Sequence, residues 1–114
     1  MNLHAFLDSM GGIQKPDDRP ARPLTDEGKI YIDSLARQIM GEYPEESFGD
    51  LVEVTSSHSW AVESYNKAVS DVYSFVFENK KTTHEWEEKI KKLCRERVAL
   101  GGYRLAKSIE SIYK

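Results

Sequence analysis

The stretch TTHEWEEKIKKLCRERVALGGYRLAKSIESI, residues 82 to 112, decides the fold class of this chain. Its apolar side chains recur at steps of three and four residues, the spacing that places them along one face of a helix. Thr82 and Glu85 have the spacing of a capping box, which predicts that the helix begins there. The apolar positions are Trp86, Ile90, Leu93, Cys94, Val98, Leu105, Ala106, Ile109 and Ile112. We therefore predict one long amphipathic helix.

Gly101 and Gly102 interrupt this pattern. A glycine in a helix interior costs about 1 kcal/mol relative to alanine, because it loses more backbone freedom on folding. Such a local cost indicates a compensating contact, and a glycine pair allows another backbone to approach closely. We therefore expect another segment to pack against these glycines.

Three shorter upstream stretches have the same helical spacing, and no part of the chain alternates with the period of two that a half-buried strand requires. The first is residues 2 to 10, with Leu3, Phe6, Leu7 and Met10, which Gly11 and Gly12 end. The second begins after its cap Thr25, carries Ile32, Leu35, Ala36, Ile39 and Met40, and ends at Gly41 and Pro44. The third begins in the cluster Thr55, Ser56 and Ser57 and ends at Asn79. Residues 13 to 24 hold three of the four prolines, which predicts an extended surface loop. The expected fold is all-α, with about four helices in a single domain, residues 1–114.

The composition excludes several classes of protein. With 39% apolar and 31% charged residues, the chain can form a core and lacks the signature of disorder. Its net charge of −3 argues against tight, sequence-independent binding to nucleic-acid phosphates. Charged or polar residues interrupt every apolar run after about six residues, far short of a membrane-spanning helix, so we expect no membrane partner. The single cysteine, Cys94, cannot close an intrachain disulfide, and its apolar stripe favours a buried, inert thiol over a nucleophile.

His4 and Asp8 are the best candidates for metal ligands. On a helix they lie one turn apart on the same face, where an imidazole and a carboxylate can converge on one ion. The alternative is an exposed polar pair. His58 and His84 lack comparable partners, apart from Glu88 one turn beyond His84, and are expected at the surface or as capping residues.

Basic residues cluster from Lys80 to Arg97 and alternate with glutamates. We predict a solvated helix face with pairing between residues four apart, and keep a nucleic-acid groove as the alternative. Aromatic residues at Trp60, Trp86, Tyr65, Tyr73 and Tyr103 are spaced as core or half-buried residues. Stacking of any of them on a base is the alternative to packing.

Three segments together resemble the class I, zinc-dependent nucleases, the 3′-nucleotidase/nuclease family of the S1/P1 type. The opening NLHAFLDS is similar to the family's Asn-Leu-His-x-x-Trp-Asp segment, with Leu7 where tryptophan is frequent. SWAVESY, residues 59 to 65, and RVALGGYRLAKSIESIY, residues 97 to 113, resemble the family's tail in the same order, including its Gly-x-Arg-Leu-Ala helix. The resemblance covers nearly the whole chain. It implies the C-terminal portion of a helical fold of the phospholipase C and nuclease type.

The resemblance also implies a chemistry. The family hydrolyses single-stranded DNA and RNA and removes 3′-phosphates from nucleotides, using a cluster of three zinc ions. His4 and Asp8 would be the last two protein ligands, both serving one zinc, and Asn2 would face the substrate or support a ligand. The family's other ligands, including the amino group of a starting tryptophan and a His-x-x-x-Asp-x-His helix, lie upstream of the matched segment.

Two ligands are fewer than the three that a catalytic zinc normally has. We therefore expect the isolated chain to be inactive. The apolar face of residues 2 to 10 and the glycine pair are expected to rest on helices outside this sequence, which would leave apolar surface exposed on the chain alone. We therefore also expect it to associate with a missing N-terminal half or with itself. Two alternatives remain: a non-catalytic helical interaction module derived from this fold, and a phospholipase C relative. Asp8, where a phospholipase would have glutamate, and the Gly-x-Arg-Leu-Ala tail favour the nuclease. The family also implies a secreted, cell-surface or periplasmic location, although the first dozen residues do not resemble a signal peptide.

Overall fold

The computed structural model describes residues 3–8, 22–73 and 83–113, with only the backbone described for residues 3–5. All regular elements in these ranges are helical, which confirms the prediction of an all-α fold. They are α1 (Leu3–Asp8), α2 (Asp26–Glu42), a 3-10 segment (Glu45–Glu53), α3 (Ser57–Lys67), a π-helical segment (Ala68–Tyr73) and α4 (His84–Ile112). No helix in the described ranges combines the length and apolar character needed to cross a bilayer.

The helix starts follow local capping chemistry. Thr25 caps α2 as predicted, because its hydroxyl accepts a hydrogen bond from the Gly28 amide at 3.1 Å. Ser56, in the predicted serine cluster, caps α3 through the Ser59 amide at 3.3 Å. The prediction for α4 was wrong by one residue: Thr83, rather than Thr82, accepts from the Trp86 amide at 3.1 Å. The predicted helix end at Asn79, the glycine stop after residue 10 and most of the proline-rich loop lie outside the described residues.

The 3-10 segment between α2 and α3 was not predicted. It buries Phe48 and Val52, and it turns at Gly49, whose φ of 56° is a conformation that residues with a Cβ rarely adopt. The segment is held on one side by the end of α2 and on the other by α4. Short apolar segments of this kind are placed by packing, because they carry no full helical period.

Two groups of buried side chains form the core, and both use α4. The first, here called the Leu100 cluster, joins α2 and the 3-10 segment to the middle of α4; its buried members are Ile39, Phe48, Val52, Ala99 and Leu100. The second, the Ile90 cluster, joins the π-helical segment to the start of α4; its buried members are Val72, Trp86 and Ile90. Helix α4 is therefore the element around which the other described helices assemble.

Helix α1 packs on the Ile90 cluster. Phe6 and Leu7 are half-buried against it, and the rings of Phe6 and Trp86 stack with centroids 5.8 Å apart. This confirms that these residues face a core. It also corrects the expectation that this helix rests on helices from outside the chain: Trp86 and Ile90 supply part of its support.

Other predicted core positions remain at the surface. In α2, only Ile39 of the apolar stripe is buried and Leu35 is half-buried, whereas Met40 is 50% exposed. In α3 and beyond, Tyr65 and Tyr73 are exposed, so the core assignment was wrong for both tyrosines. Trp86 is buried, and Trp60 and Tyr103 are half-buried, as their spacing predicted. The described part of the chain thus leaves apolar surface uncovered on more than one helix.

Candidate functional site

Helix α1 contains both predicted metal ligands. His4 and Asp8 lie four residues apart in Leu3–Asp8, so the backbone places them one turn apart. Asp8 is exposed, while the His4 side chain and all of Asn2 lie outside what the structure describes. The helical spacing that the prediction required is present, and the ligand roles of His4, Asp8 and Asn2 stay predictions.

The described residues do not by themselves make a zinc site. Among them, no three His, Cys, Asp or Glu side chains come together as a group that could hold a metal ion. A catalytic zinc normally keeps three protein ligands. Any zinc held by His4 and Asp8 would therefore need ligands from outside the described residues.

The basic residues of α4 form a different arrangement from the one predicted. Lys91 pairs locally with Glu88 at 3.2 Å, but Lys89 pairs with Asp71 at 3.3 Å and Arg95 lies 3.7 Å from Glu42. These two pairs join α4 to other elements. The predicted pairing within one helix face was therefore wrong for Lys89 and Arg95, because the packing of α4 brings acidic residues of its neighbours within reach.

The most concentrated set of polar contacts lies between α3 and α4, where two arginines share one carboxylate. Arg104 donates from its terminal nitrogens to both carboxylate oxygens of Glu63, at 3.1 and 2.9 Å. Arg97 donates to the same Glu63 Oε1 and, at 3.4 Å, to the Ser64 hydroxyl. We call these three charged side chains the Glu63 cluster.

Arg104 is buried and also contacts residues outside this cluster. Its side chain is only 6% exposed, its Nε donates to the Leu51 carbonyl at 3.0 Å, and its guanidinium lies 5.7 Å from the centroid of the Trp60 ring. Trp60 is itself fixed, because its indole N–H donates to the Val54 carbonyl at 2.7 Å. A buried cation held by a carboxylate, a carbonyl and an aromatic ring ties α3 and the 3-10 segment to α4.

The two guanidiniums also change the acidity of the carboxyl group. Hydrogen bonds from Arg104, and then from Arg97, hold the pKa of Glu63 below its ordinary value, while partial burial acts in the opposite direction. Glu63 is therefore ionised at neutral pH, and one negative charge faces two positive charges. The Glu63 cluster carries a net positive charge.

A cavity of about 340 Å³ opens beside this cluster. We call it the Trp60 pocket; its walls are formed by Trp60, Arg97, Gly101, Arg104, Leu105 and Ser108. A second, apolar groove of about 320 Å³ lies between α2 and α4. We call it the Met40 groove, and it is lined by residues that include Met40, Val98, Gly102 and Ala106.

The glycine pair separates these two cavities. Gly101 lines the Trp60 pocket and Gly102 lines the Met40 groove. A Cβ atom placed at either glycine would meet nothing within 4 Å. Within the described residues, therefore, no backbone approaches the pair closely, and the predicted close contact with another segment stays a prediction.

The remaining candidates have ordinary surroundings. His58 and His84 are exposed, as expected for surface residues. Cys94 is half-buried against the Ile90 cluster, and burial raises the pKa of its thiol. This environment agrees with a thiol of low reactivity.

In the sequence, Glu63 and Arg104 stand out only as parts of the segments that resemble the nuclease family. Their contact with each other was not predicted. Arg104 lies off the predicted apolar stripe of α4, as does Leu100 one turn before it, so the spacing gave no indication that either residue is buried. A charged residue one turn from a core position is buried only when it is paired. The partner itself could not be read, because Glu63 lies 41 residues away.

Comparison with known proteins identifies a family for this chain. A family model described as S1/P1 Nuclease matches residues 1–114. No curated protein and no solved structure matches the chain. The matched range includes α1 with His4 and Asp8, as well as all three residues of the Glu63 cluster.

Proposed function

The chain belongs to the S1/P1 nuclease family, and on this premise we propose that it contributes to a zinc-dependent hydrolase of single-stranded DNA, RNA and 3′-nucleotides. The single observation that carries the proposal is the family match over residues 1–114. Membership implies hydrolysis of the nuclease type. The zinc requirement, the 3′-nucleotidase activity and the substrate preference are the finer parts of the proposal.

We propose that His4 and Asp8 are two ligands of one zinc ion. The two residues lie one turn apart on α1, and Asp8 is exposed. The helix that carries them is held to the protein by Phe6, which stacks on Trp86. Zinc readily accepts an imidazole nitrogen and a carboxylate oxygen. A ligand pair on a helix anchored by an aromatic contact is well suited to keep its orientation.

The other ligands must come from outside the described residues. We propose that this chain corresponds to the C-terminal portion of the family's catalytic unit, because its matching segments follow the order of the family's tail. The long helix α4 then serves as the scaffold on which the ligand-bearing α1 is placed. Two ligands are below the number of a catalytic zinc, so we expect the 114-residue chain alone to be inactive.

The test compares zinc content and hydrolysis in the full product of the gene and in the 114-residue chain alone. Substrates are single-stranded DNA and adenosine 3′-monophosphate. In the full product, His4→Ala and Asp8→Asn are expected to lower zinc content and to reduce both activities by at least about 100-fold, because loss of a ligand costs no less than loss of its supporting contacts. Asn2→Ala is expected to lower activity less.

His58→Ala is the matched control, since His58 is exposed on α3 and is expected to leave zinc and activity unchanged. The proposal fails if His4→Ala and Asp8→Asn retain full activity. If the full product neither binds zinc nor cleaves either substrate, the non-catalytic interaction module is the better assignment.

A further inference from the structure

The Trp60 pocket lies apart from the helix that carries His4 and Asp8. Helix α1 rests on Trp86, and Gly101 lies 15 positions further along α4. At 1.5 Å per residue this separation is about 22 Å along the helix axis. A ligand in the pocket would therefore occupy a different place from a zinc ion on α1.

The pocket has unused capacity to bind an anion. Within the described residues, Arg104 uses three of its five N–H donors, on Glu63 and Leu51, whereas Arg97 uses two of its five, on Glu63 and Ser64. One carboxylate also cannot neutralise both guanidiniums. Arg97, which lines the cavity, thus keeps three N–H donors and a surplus positive charge that the described residues do not match.

The other walls of the pocket suit a flat, partly apolar group. Trp60 and Leu105 supply an aromatic and an aliphatic surface, and Ser108 contributes a hydroxyl at the wall. A volume of about 340 Å³ is within the range of small-ligand sites. Aromatic side chains and arginine planes are common stacking surfaces for bases, whatever the base sequence.

We propose that the Trp60 pocket binds one nucleotide of a single-stranded substrate, with the base against Trp60 and Leu105 and the phosphate at Arg97. The choice of a nucleotide as ligand rests on the proposed nuclease function. The pocket is an accessory binding site and takes no part in bond cleavage. It would hold a strand at a point remote from α1 and so favour longer substrates over mononucleotides.

Binding can be measured with adenosine 5′-monophosphate, using quenching of tryptophan fluorescence and calorimetry. Gly101→Leu is the decisive variant, because its side chain would fill the pocket and its Cβ has open space around it. We expect it to weaken binding at least tenfold. Gly102→Leu is the matched control: it sits one residue away, also has open space, and faces the Met40 groove. It should leave the affinity unchanged.

Arg97→Gln tests the contact with the phosphate separately from the contact with the base. We expect it to weaken binding of the nucleotide and of inorganic phosphate, while adenosine, which lacks the phosphate, binds equally to the variant and the wild type. Trp60→Phe should remove the fluorescence response. Melting temperatures of all variants show that loss of binding is not loss of the fold. Equal nucleotide affinity in wild type and Gly101→Leu, or no saturable binding to the wild type, would overturn the proposal.

The binding assay is independent of hydrolysis. His4→Ala is expected to lose activity and to keep nucleotide binding at the Trp60 pocket. If the wild type binds the nucleotide in a Gly101-dependent way but hydrolyses nothing, the proposed function fails and the pocket assignment stands. If the wild type hydrolyses DNA but binds no nucleotide at the pocket, the pocket assignment fails and the proposed function stands.

Discussion

Glu63 links three parts of the molecule through its contacts with two arginines. It lies on α3, it pairs with Arg97 and Arg104 of α4, and Arg104 extends the link to the Leu51 carbonyl of the 3-10 segment. Because Arg104 is 6% exposed, loss of its carboxylate partner would leave a buried positive charge without compensation. Such a loss is far more costly than breaking a surface ion pair.

We predict that Glu63→Gln lowers the free energy of unfolding at pH 7 by about 2 to 4 kcal/mol. The variant should also lose part of the wild type's acid sensitivity. The pKa of Glu63 is lowered in the folded state, so the unfolded state binds more protons in the interval between the two pKa values. The stabilisation from Glu63 is therefore complete above about pH 4.3 and is lost as the pH falls through the lowered, folded-state pKa.

Urea denaturation at a series of pH values measures both effects. Asp33→Asn is the control, because it breaks a pair with Arg37 in which both side chains are more than half exposed. That change should cost no more than about 0.5 kcal/mol at pH 7. Equal costs for the two variants would show that the Glu63 cluster contributes no more than a surface pair.

At the scale of elements, the 3-10 segment is only nine residues long but joins α2 and α4 through several contacts. It delivers Phe48 and Val52 to the Leu100 cluster and the Leu51 carbonyl to Arg104. Its path depends on the backbone of Gly49, with φ of 56° and ψ of −132°. A side chain at this position would strain the turn even though the space around it is open.

We predict that Gly49→Ala destabilises the protein by about 1 to 3 kcal/mol, the typical cost of a residue held in a conformation reserved for glycine. For Gly41→Ala we predict the opposite, a gain in stability. Gly41 lies inside α2 with open space at its Cβ, and alanine is the better helix former, so stability should rise by up to about 1 kcal/mol. Thermal or urea unfolding of the two variants gives the comparison, and a gain for Gly49→Ala would contradict the conformational argument.

For the whole molecule, the notable property is uncovered apolar surface. Along the Met40 groove, Met40 is 50% exposed and Val98 46%, and Leu105 at the neighbouring Trp60 pocket is 61% exposed. The sequence predicted such surface and a partner to cover it. Contiguous exposed apolar patches favour association, because burying them removes apolar area from water.

We predict that the purified 114-residue chain binds an apolar dye and runs at a mass above 13.1 kDa in size-exclusion chromatography with light scattering. Combining Met40→Lys with Val98→Lys should reduce dye binding and weaken association at least tenfold, because each change places a charge in the groove. Tyr65→Lys, at an exposed position on α3, is the control and should change neither quantity. A stable wild-type monomer without dye binding would contradict the prediction.

The sequence by itself determined the helical class, two of the helix caps and the family. Helical spacing and capping depend on residues three or four positions apart, so they can be read locally. The pairing of His4 with Asp8 on one helix followed from the same spacing, although their role as zinc ligands stays a prediction.

Only the tertiary structure decided which apolar positions are buried and which charges meet. Glu63 lies 34 and 41 residues from the arginines that it pairs with, and no local rule selects them among the other cations of α4. The choice follows from how α3 and the 3-10 segment pack on α4. Burial is a property of that packing, because a side chain leaves water only when another element covers it.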